Sequence, residues 1–179
     1  MSGSTVVATR YATALFELAR EKGVLERIAA DVESLGKQVE SGALREVFDQ
    51  RTSADRKQAL IEALAAKLQP LTSNLVRLLA ARRRVEVLRG LAPAFRRCVL
   101  TEKGQVEGYV EAARSLGEGE LAEIAVAVGS LIGKQVLLTS RVNAELIAGV
   151  RVFVDNRLID QSAVGRLESL RRKLSVARL

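Results

Sequence analysis

The spacing of apolar residues along the chain changes once, close to Gly104. Before this glycine, apolar residues recur at steps of three and four, a spacing typical of helices that bury one face. After it, residues 106–113 alternate in the manner of a β-strand buried on one side. The change predicts an α+β fold in two domains, a helical one over residues 1–104 and a mixed one over residues 105–179.

The first domain is predicted to be a six-helix bundle whose last helix leads into the second domain. Glycine, proline and short polar segments separate the helices. The predicted helices cover residues 5–22, 24–40, 43–48, 54–68, 71–81 and 84–104.

Pro93 lies inside the apolar pattern of the sixth helix. It has no amide hydrogen to donate to the carbonyl of Arg89, and its ring crowds that turn, an effect of about 3 kcal/mol. Gly90 lies three residues earlier. We therefore expect a kink or a restart of the helix between Gly90 and Pro93.

The second domain is predicted to contain about four strands and two helices. Asp155-Asn156 is a plausible two-residue turn between the last two strands. The predicted strands cover residues 106–113, 135–142, 150–154 and 157–160, and the predicted helices cover residues 118–132 and the segment that begins at Ser162.

The first helix carries two adjacent apolar stripes where a helix at the edge of a bundle needs only one. Two stripes indicate either burial on both sides, or one side packed and the other available to a partner helix. The pattern does not decide which stripe faces inward. One stripe contains Val7, Tyr11, Leu15 and Leu18, and the other contains Ala8, Ala12, Phe16 and Ala19.

Charge is distributed unevenly between the two domains. The net charge of the chain is +7, and nearly all of the excess lies in residues 1–104. The first domain should therefore face an acidic partner or an anionic surface. Nucleic acid is one candidate, although six aromatic residues in the whole chain leave few side chains to stack on bases.

Composition also limits the chemistry and the compartment. The chain has no histidine, so the commonest general base near neutral pH is missing, and no acidic cluster has metal-ligand spacing. Cys98 is the single cysteine, which excludes an internal disulfide and a cysteine-based metal site. We see no membrane span and no secretory signal, and we expect a cytoplasmic protein that is not an enzyme and binds no cofactor.

Two motifs have an ordinary structural explanation beside a functional one. Gly129 to Gln135 resembles a phosphate-binding loop, but the spacing of its glycines and its position after a helix favour a helix C-cap at Gly133. The arginines Arg82, Arg83 and Arg84 could grip phosphates. They could equally be solvated residues favoured by the dipole at the C-terminus of the fifth helix.

Three segments of the chain together form a recognisable set of motifs. They are Tyr11 to Ala19 with Gly23; Asn74, Leu78, Leu79, Arg82, Arg84, Leu88 and Phe95; and Gly133, Val136, Leu146 to Val152, Leu158 to Ser162 and Arg166-Leu167. These segments resemble the family of the δ subunit of bacterial F-type ATP synthase, the counterpart of the mitochondrial oligomycin-sensitivity-conferring protein. The matches occur in the family's order and cover nearly the whole chain. The sequence differs from the family pattern at Pro93, Ala144-Glu145, Ala148 and Gln161.

The resemblance implies a non-catalytic stator subunit that links the α/β catalytic head to the peripheral stalk and resists rotor torque during ATP synthesis. In this family the first and fifth helices form a groove for the amphipathic N-terminal helix of an α subunit. The second domain holds the C-terminal ends of the b subunits. The resemblance further implies one copy per complex, at the cytoplasmic face of the cell (inner) membrane, attached to it only through the complex.

The expected contacts with the α-subunit helix lie on the first and fifth helices. Ordinary core packing is about as plausible for each one taken singly. The alternative function is a basic helical nucleic-acid-binding protein, which would bind DNA or RNA with a strong dependence on salt. The expected contact residues are Tyr11, Ala12, Leu15, Phe16, Ala19, Leu75, Leu78 and Leu79.

Overall fold

The computed structural model describes residues 3–160 apart from 147 and 156, with only the backbone for residues 3–5. The chain separates into two compact units, Met1–Val99 and Leu100–Leu179, which are described one at a time. The first unit is helical and the second combines helix and sheet, so the predicted α+β fold class is confirmed. The helix predicted from Ser162 lies outside the described residues.

The first unit contains the helices of the predicted bundle. A short 3-10 turn at Val85–Val87 precedes the sixth helix, which therefore begins a few residues later than its sequence pattern indicated. The helices are α1 (Gly3–Glu21), α2 (Leu25–Glu40), α3 (Arg45–Phe48), α4 (Ala54–Ala65), α5 (Pro70–Ala81) and α6 (Leu88–Glu102).

Glycine and alanine allow α6 to approach two other helices closely. A Cβ atom added at Gly90 would lie 2.9 Å from the Cβ of Ala8 in α1. A Cβ atom added at Gly36 in α2 would lie 2.8 Å from the Cβ of Ala92 in α6. Such separations are shorter than carbon atoms in contact allow, so the interhelical distance depends on the missing side chains.

The restart predicted near Pro93 is wrong, because α6 is a single helix from Leu88 to Glu102 with the proline inside it. Pro93 and Arg89 are both exposed on the same side of this helix. Water can therefore reach the carbonyl of Arg89 that loses its partner, which lowers the cost of the proline. A bend at this position stays a prediction.

Gly90 has a different role from the one its sequence context indicated. We expected it to weaken the helix together with Pro93, but its lack of a side chain is used for the contact with Ala8. Gly90 is half-buried within α6, where helix propensity alone would favour alanine.

The second unit is a four-stranded sheet with one described helix, α7 (Glu118–Ile132). The predicted bounds of this helix and of the last three strands agree with the structure. The chain runs from β1 through α7 to β2 as a parallel crossover, and β3 and β4 pair antiparallel. The strands are β1 (Gln105–Ala112), β2 (Gln135–Val142), β3 (Val150–Val154) and β4 (Arg157–Asp160), in the order β2-β1-β3-β4.

Valine dominates the core between the sheet and α7. Side chains from β1 and β3 alternate toward this helix, and Val110 and Val152 lie opposite each other in the register. Leu121, Ile124 and Ile132 of α7 pack against them from above. The buried members of the core are Val106, Val110, Val128, Val136, Val152 and Val154.

Candidate functional site

The two apolar stripes of α1 have different environments. Ala8, Ala12 and Ala19 are fully buried, and Phe16 is only 6% exposed, so the alanine-rich stripe faces the core. The exposure of the side chains in the other stripe varies. Its Leu15 is buried, whereas Val7 and Tyr11 are half-buried and Leu18 is 44% exposed.

Helix α6 lies along only one side of α1. The rings of Phe16 and Phe95 meet edge to face with centroids 6.1 Å apart, and the Thr13 hydroxyl lies 3.7 Å from the Cys98 sulfur. On a helical wheel these contacts fall on the flank opposite Leu18. The flank of α1 that α6 leaves uncovered carries Val7, Tyr11, Ala14 and Leu18.

Helix α5 shows the same division into a packed side and an exposed side. Arg77 pairs with Glu62 of α4 through Nη2 and Oε2 at 2.9 Å, and this hydrogen bond raises the pKa of Arg77. The opposite flank of α5 carries Leu71, which is half-buried, and Leu78, which is 44% exposed. An exposed leucine between two helices that pack on each other, as α1 and α5 do, is a feature of helix-binding grooves.

The apolar side chains on the outer flanks of these two helices, which pack on each other, are together called the α1–α5 surface. They are half-buried or exposed. They are Val7, Tyr11, Ala14 and Leu18 of α1 with Leu71 and Leu78 of α5.

The structure places the eight expected contact residues at two depths. Tyr11 and Leu78 reach the α1–α5 surface. The other six are buried and form the part of the core beneath it, where they determine how α1 and α5 lie together. These six are Ala12, Leu15, Phe16, Ala19, Leu75 and Leu79.

Leu18 belongs to the stripe of Val7, Tyr11 and Leu15 but is not among the expected contacts with the α-subunit helix. It is nevertheless one of the most exposed apolar residues of α1. The signal that could have identified it is the chemistry of the opposite stripe. Three alanines on one face allow close helix packing, which favours that face for the core and leaves Leu18 on the outer flank.

Nearly the whole chain matches one protein-family model. Residues 7–174 match the model described as the ATP synthase delta (OSCP) subunit. The chain belongs to this family. Nearly every element described above lies within the match.

The chain spans nearly the whole length of the curated relatives it matches. An ATP synthase subunit delta of Lysinibacillus sphaericus is 32% identical, and the alignment covers 96% of this chain and 98% of that one. One from Carboxydothermus hydrogenoformans is 36% identical over the same shares. One from Cereibacter sphaeroides is 35% identical, with 96% of this chain and 94% of that one covered.

A solved structure supports the fold of this chain. The chain is similar to a chain in the cryo-EM structure of the Toxoplasma gondii mitochondrial ATP synthase hexamer, with a TM-score of 0.71. The two are 22% identical, and the superposition covers 93% of this chain and 96% of that one. This similarity supports the arrangement of helices and strands.

The second unit contains an open groove of about 690 Å³ beside α7 and the start of β2. Small residues such as Gly104, Ala122 and Gly129 line it. Its one charged lining residue, Lys134, is 3.2 Å from the carboxylate of Asp155. The lining contains no acid or cysteine, and the hydroxyl of its Ser130 donates to the carbonyl of Val126 at 3.0 Å.

The resemblance of this region to a phosphate-binding loop has a simple structural basis. Gly133 adopts a left-handed conformation with φ of 69° and donates its amide hydrogen to the carbonyl of Gly129 at 2.9 Å, which ends α7. The predicted helix C-cap is therefore confirmed.

Among the residues that the structure describes, no group of acidic and cysteine side chains could hold a metal ion. Within those residues no helix has the length and apolarity required to cross a bilayer.

Proposed function

We propose that this chain is a non-catalytic stator subunit of a proton-translocating F-type ATP synthase. In this role it links the α/β catalytic head to the peripheral-stalk b subunits and resists rotor torque during ATP synthesis. The family match over residues 7–174 is the observation that carries the proposal.

The α1–α5 surface is the proposed site for the amphipathic N-terminal helix of an α subunit. Tyr11, Leu18 and Leu78 contact the incoming helix, since their side chains are accessible and lie on the flanks that α4 and α6 leave uncovered. An amphipathic helix binds such a surface by burying apolar anchors spaced three and four residues apart. The six buried residues beneath support the surface.

The second unit is proposed to hold the C-terminal ends of the b subunits. It exposes large apolar side chains that its own described residues leave uncovered, including Leu131 at 73% and Leu158 at 54%. Partner contacts commonly cover apolar side chains of this size. One copy per complex, at the cytoplasmic face of the cell membrane and attached only through the complex, completes the proposal.

The test is calorimetric titration of the full chain with a peptide from the N-terminus of the cognate α subunit. We expect saturable one-to-one binding. Leu78→Glu and Leu18→Glu should each weaken it at least about tenfold, because each removes the burial of one leucine. Both residues are exposed, so circular dichroism should show an unchanged helix content.

Val126→Glu is the matched control. Val126 is an apolar residue of α7 and is 70% exposed, so the same change of charge is made in the unit that does not contribute to the α1–α5 surface. Equal losses in Val126→Glu and Leu78→Glu, or no binding by the folded wild-type chain, would refute this function for the surface.

A further inference from the structure

The turn after α5 is built from three consecutive arginines. The amide of Arg84 donates to the carbonyl of Leu79 at 2.8 Å, and the amide of Arg83 donates to that of Ala80 at 2.9 Å. These two bonds satisfy the last carbonyls of α5 in the arrangement that usually has glycine at its left-handed position. Here that position is Arg83, with φ of 54°.

An arginine is an unfavourable choice for this backbone conformation. A Cβ atom crowds the neighbouring carbonyl in the left-handed region, and glycine would remove that strain. Residues in strained backbone conformations cluster at functional sites, where the side chain has a role that offsets the strain. The electrostatic surroundings of Arg83 indicate what that use is.

The three arginines have no acidic partner in the part of the chain that the structure describes. All three are exposed. The nearest acid along the chain is Glu86, and its carboxylate pairs with Arg89 at 3.0 Å. Three adjacent exposed cations without an internal acidic partner make this turn attractive to an external anion.

The basic turn lies at one end of the α1–α5 surface. Arg82 continues the stripe of Leu71, Leu75 and Leu78 along α5 at helical spacing. The next turn, Val85–Val87, packs on α1, and Gly90 then contacts Ala8 near the beginning of that helix.

The other end of the surface has a different charge. The charged positions just beyond Leu18 are Arg20, Glu21 and Lys22, whose charges nearly balance, and the first turn of α5 carries no charged side chain. The surface is therefore strongly basic where α5 ends and lacks such a cluster where α5 begins. A helix lying along it would experience a different potential at each end.

We propose that the helix bound at the α1–α5 surface has acidic side chains at the end that lies over the C-terminus of α5, and that Arg82, Arg83 and Arg84 recognise them and determine the helix direction. This inference rests on the proposed function of the surface. A protein helix fits better than nucleic acid because the arginines continue an apolar stripe, and Tyr11 is the one aromatic residue on the α1–α5 surface that could stack on a base.

The test compares Arg82→Gln/Arg84→Gln with wild type in titrations with the α-subunit peptide. Arg83 is kept so that the backbone of the turn is unchanged. We expect affinity to fall about fivefold at about 50 mM salt and less at high salt, because exposed ion pairs are weak and screened. Replacing the acids in one half of the peptide by amides should remove both the loss and its salt dependence.

The control is Lys103→Gln/Arg157→Gln, which makes the same change of net charge. Both are exposed residues of the second unit, which contributes no residue to the α1–α5 surface. This variant should bind the peptide as the wild-type chain does.

Three results would overturn the inference. The first is equal affinity of wild type and Arg82→Gln/Arg84→Gln while the peptide still binds, which leaves the proposed function intact. The second is equal coupling of the arginines to acids in both halves of the peptide, which removes the assigned direction. The third is a short DNA duplex that binds wild type, loses affinity in Arg82→Gln/Arg84→Gln and leaves peptide affinity unaffected, which assigns the turn to nucleic acid. Failure of the peptide to bind wild type would instead remove the proposed function, and the inference with it.

Discussion

The two units of this protein use glycine for close packing in different ways. In the helical unit, the atom that a Cβ at Gly90 would meet is the side-chain carbon of Ala8. In the sheet unit, a Cβ at Gly108 would lie 2.6 Å from the backbone oxygen of Phe153 on the neighbouring strand. One close contact is between side chains, and the other is against the main chain.

The difference indicates how each unit can change. A side-chain neighbour can be replaced by a smaller one, so the helical unit can absorb an added methyl group by a second substitution. A backbone oxygen belongs to every residue type, so the sheet unit has no such remedy at Gly108. We expect the helical unit to tolerate paired changes that the sheet unit does not.

The largest effect is expected for Gly108→Ala. The added methyl group would collide with the Phe153 carbonyl, and separating β1 from β3 would break ladder hydrogen bonds. We expect a loss of about 3 kcal/mol, at the upper end for overpacking. Amide hydrogen exchange, resolved into segments of each unit, would measure it.

Gly119→Ala is the matched control in the same unit. A Cβ at Gly119 meets nothing within 4 Å, and Gly119 lies in the first turn of α7. Alanine should raise stability there by up to about 1 kcal/mol. Similar losses in the two variants would show that contact with Phe153 is not the cause.

A smaller effect is expected for Gly90→Ala, about 1 kcal/mol, because the better helix propensity of alanine offsets part of the clash with Ala8. Ala8→Gly should also destabilise the protein by about 1 kcal/mol. Combined, the two changes should restore stability to within about 0.5 kcal/mol of wild type. Urea denaturation of the four chains would measure the coupling, and simple additivity would contradict the side-chain interpretation.

The smallest effect concerns Glu120 in the first turn of α7. Its carboxylate accepts hydrogen bonds from the Arg114 guanidinium and from the Gly117 amide, and these lower its pKa to about 2. A carboxylate with a lowered pKa in the folded state contributes stability above its ordinary pKa, and this is lost as pH falls toward the folded value. The contribution should therefore be complete above about pH 4.5 and disappear toward pH 2.

The measurement is the thermal midpoint of wild type and Glu120→Gln across this range of pH. Wild type should be slightly more stable at pH 7, and the two curves should converge below pH 4.5. A constant difference down to pH 2 would mean that the carboxylate charge is not responsible. No corresponding change is expected in the exchange rates of the helical unit.

Periodicity predicted much of the second unit and the order of helices in the first. The bounds of α7 follow from apolar residues at helical spacing, and those of β2 and β3 follow from alternating side chains. The start of α6 and the continuity of this helix through Pro93 were not predicted correctly. The continuity depends on the solvent exposure of one side of the helix, which is a property of the packed bundle.

The candidate surface was only partly predictable for a related reason. Leu15 and Leu18 belong to one stripe by spacing, yet Leu15 is 4% exposed and Leu18 is 44% exposed. The boundary between them is the edge of the contact with neighbouring helices, and spacing along α1 contains no information about where those helices lie. The family motifs indicated the helices involved, while the structure identified the flanks.

The contact between Thr13 and Cys98 allows the separation of α1 from α6 to be followed by the reactivity of a natural thiol. Cys98 is the one thiol of the chain. It lies half-buried in α6, and its sulfur contacts Thr13 of α1. Because this contact shields part of the thiol, the rate of alkylation should rise when α1 separates from α6. The rate therefore reports that separation in an unlabelled, unaltered chain, with or without a bound partner.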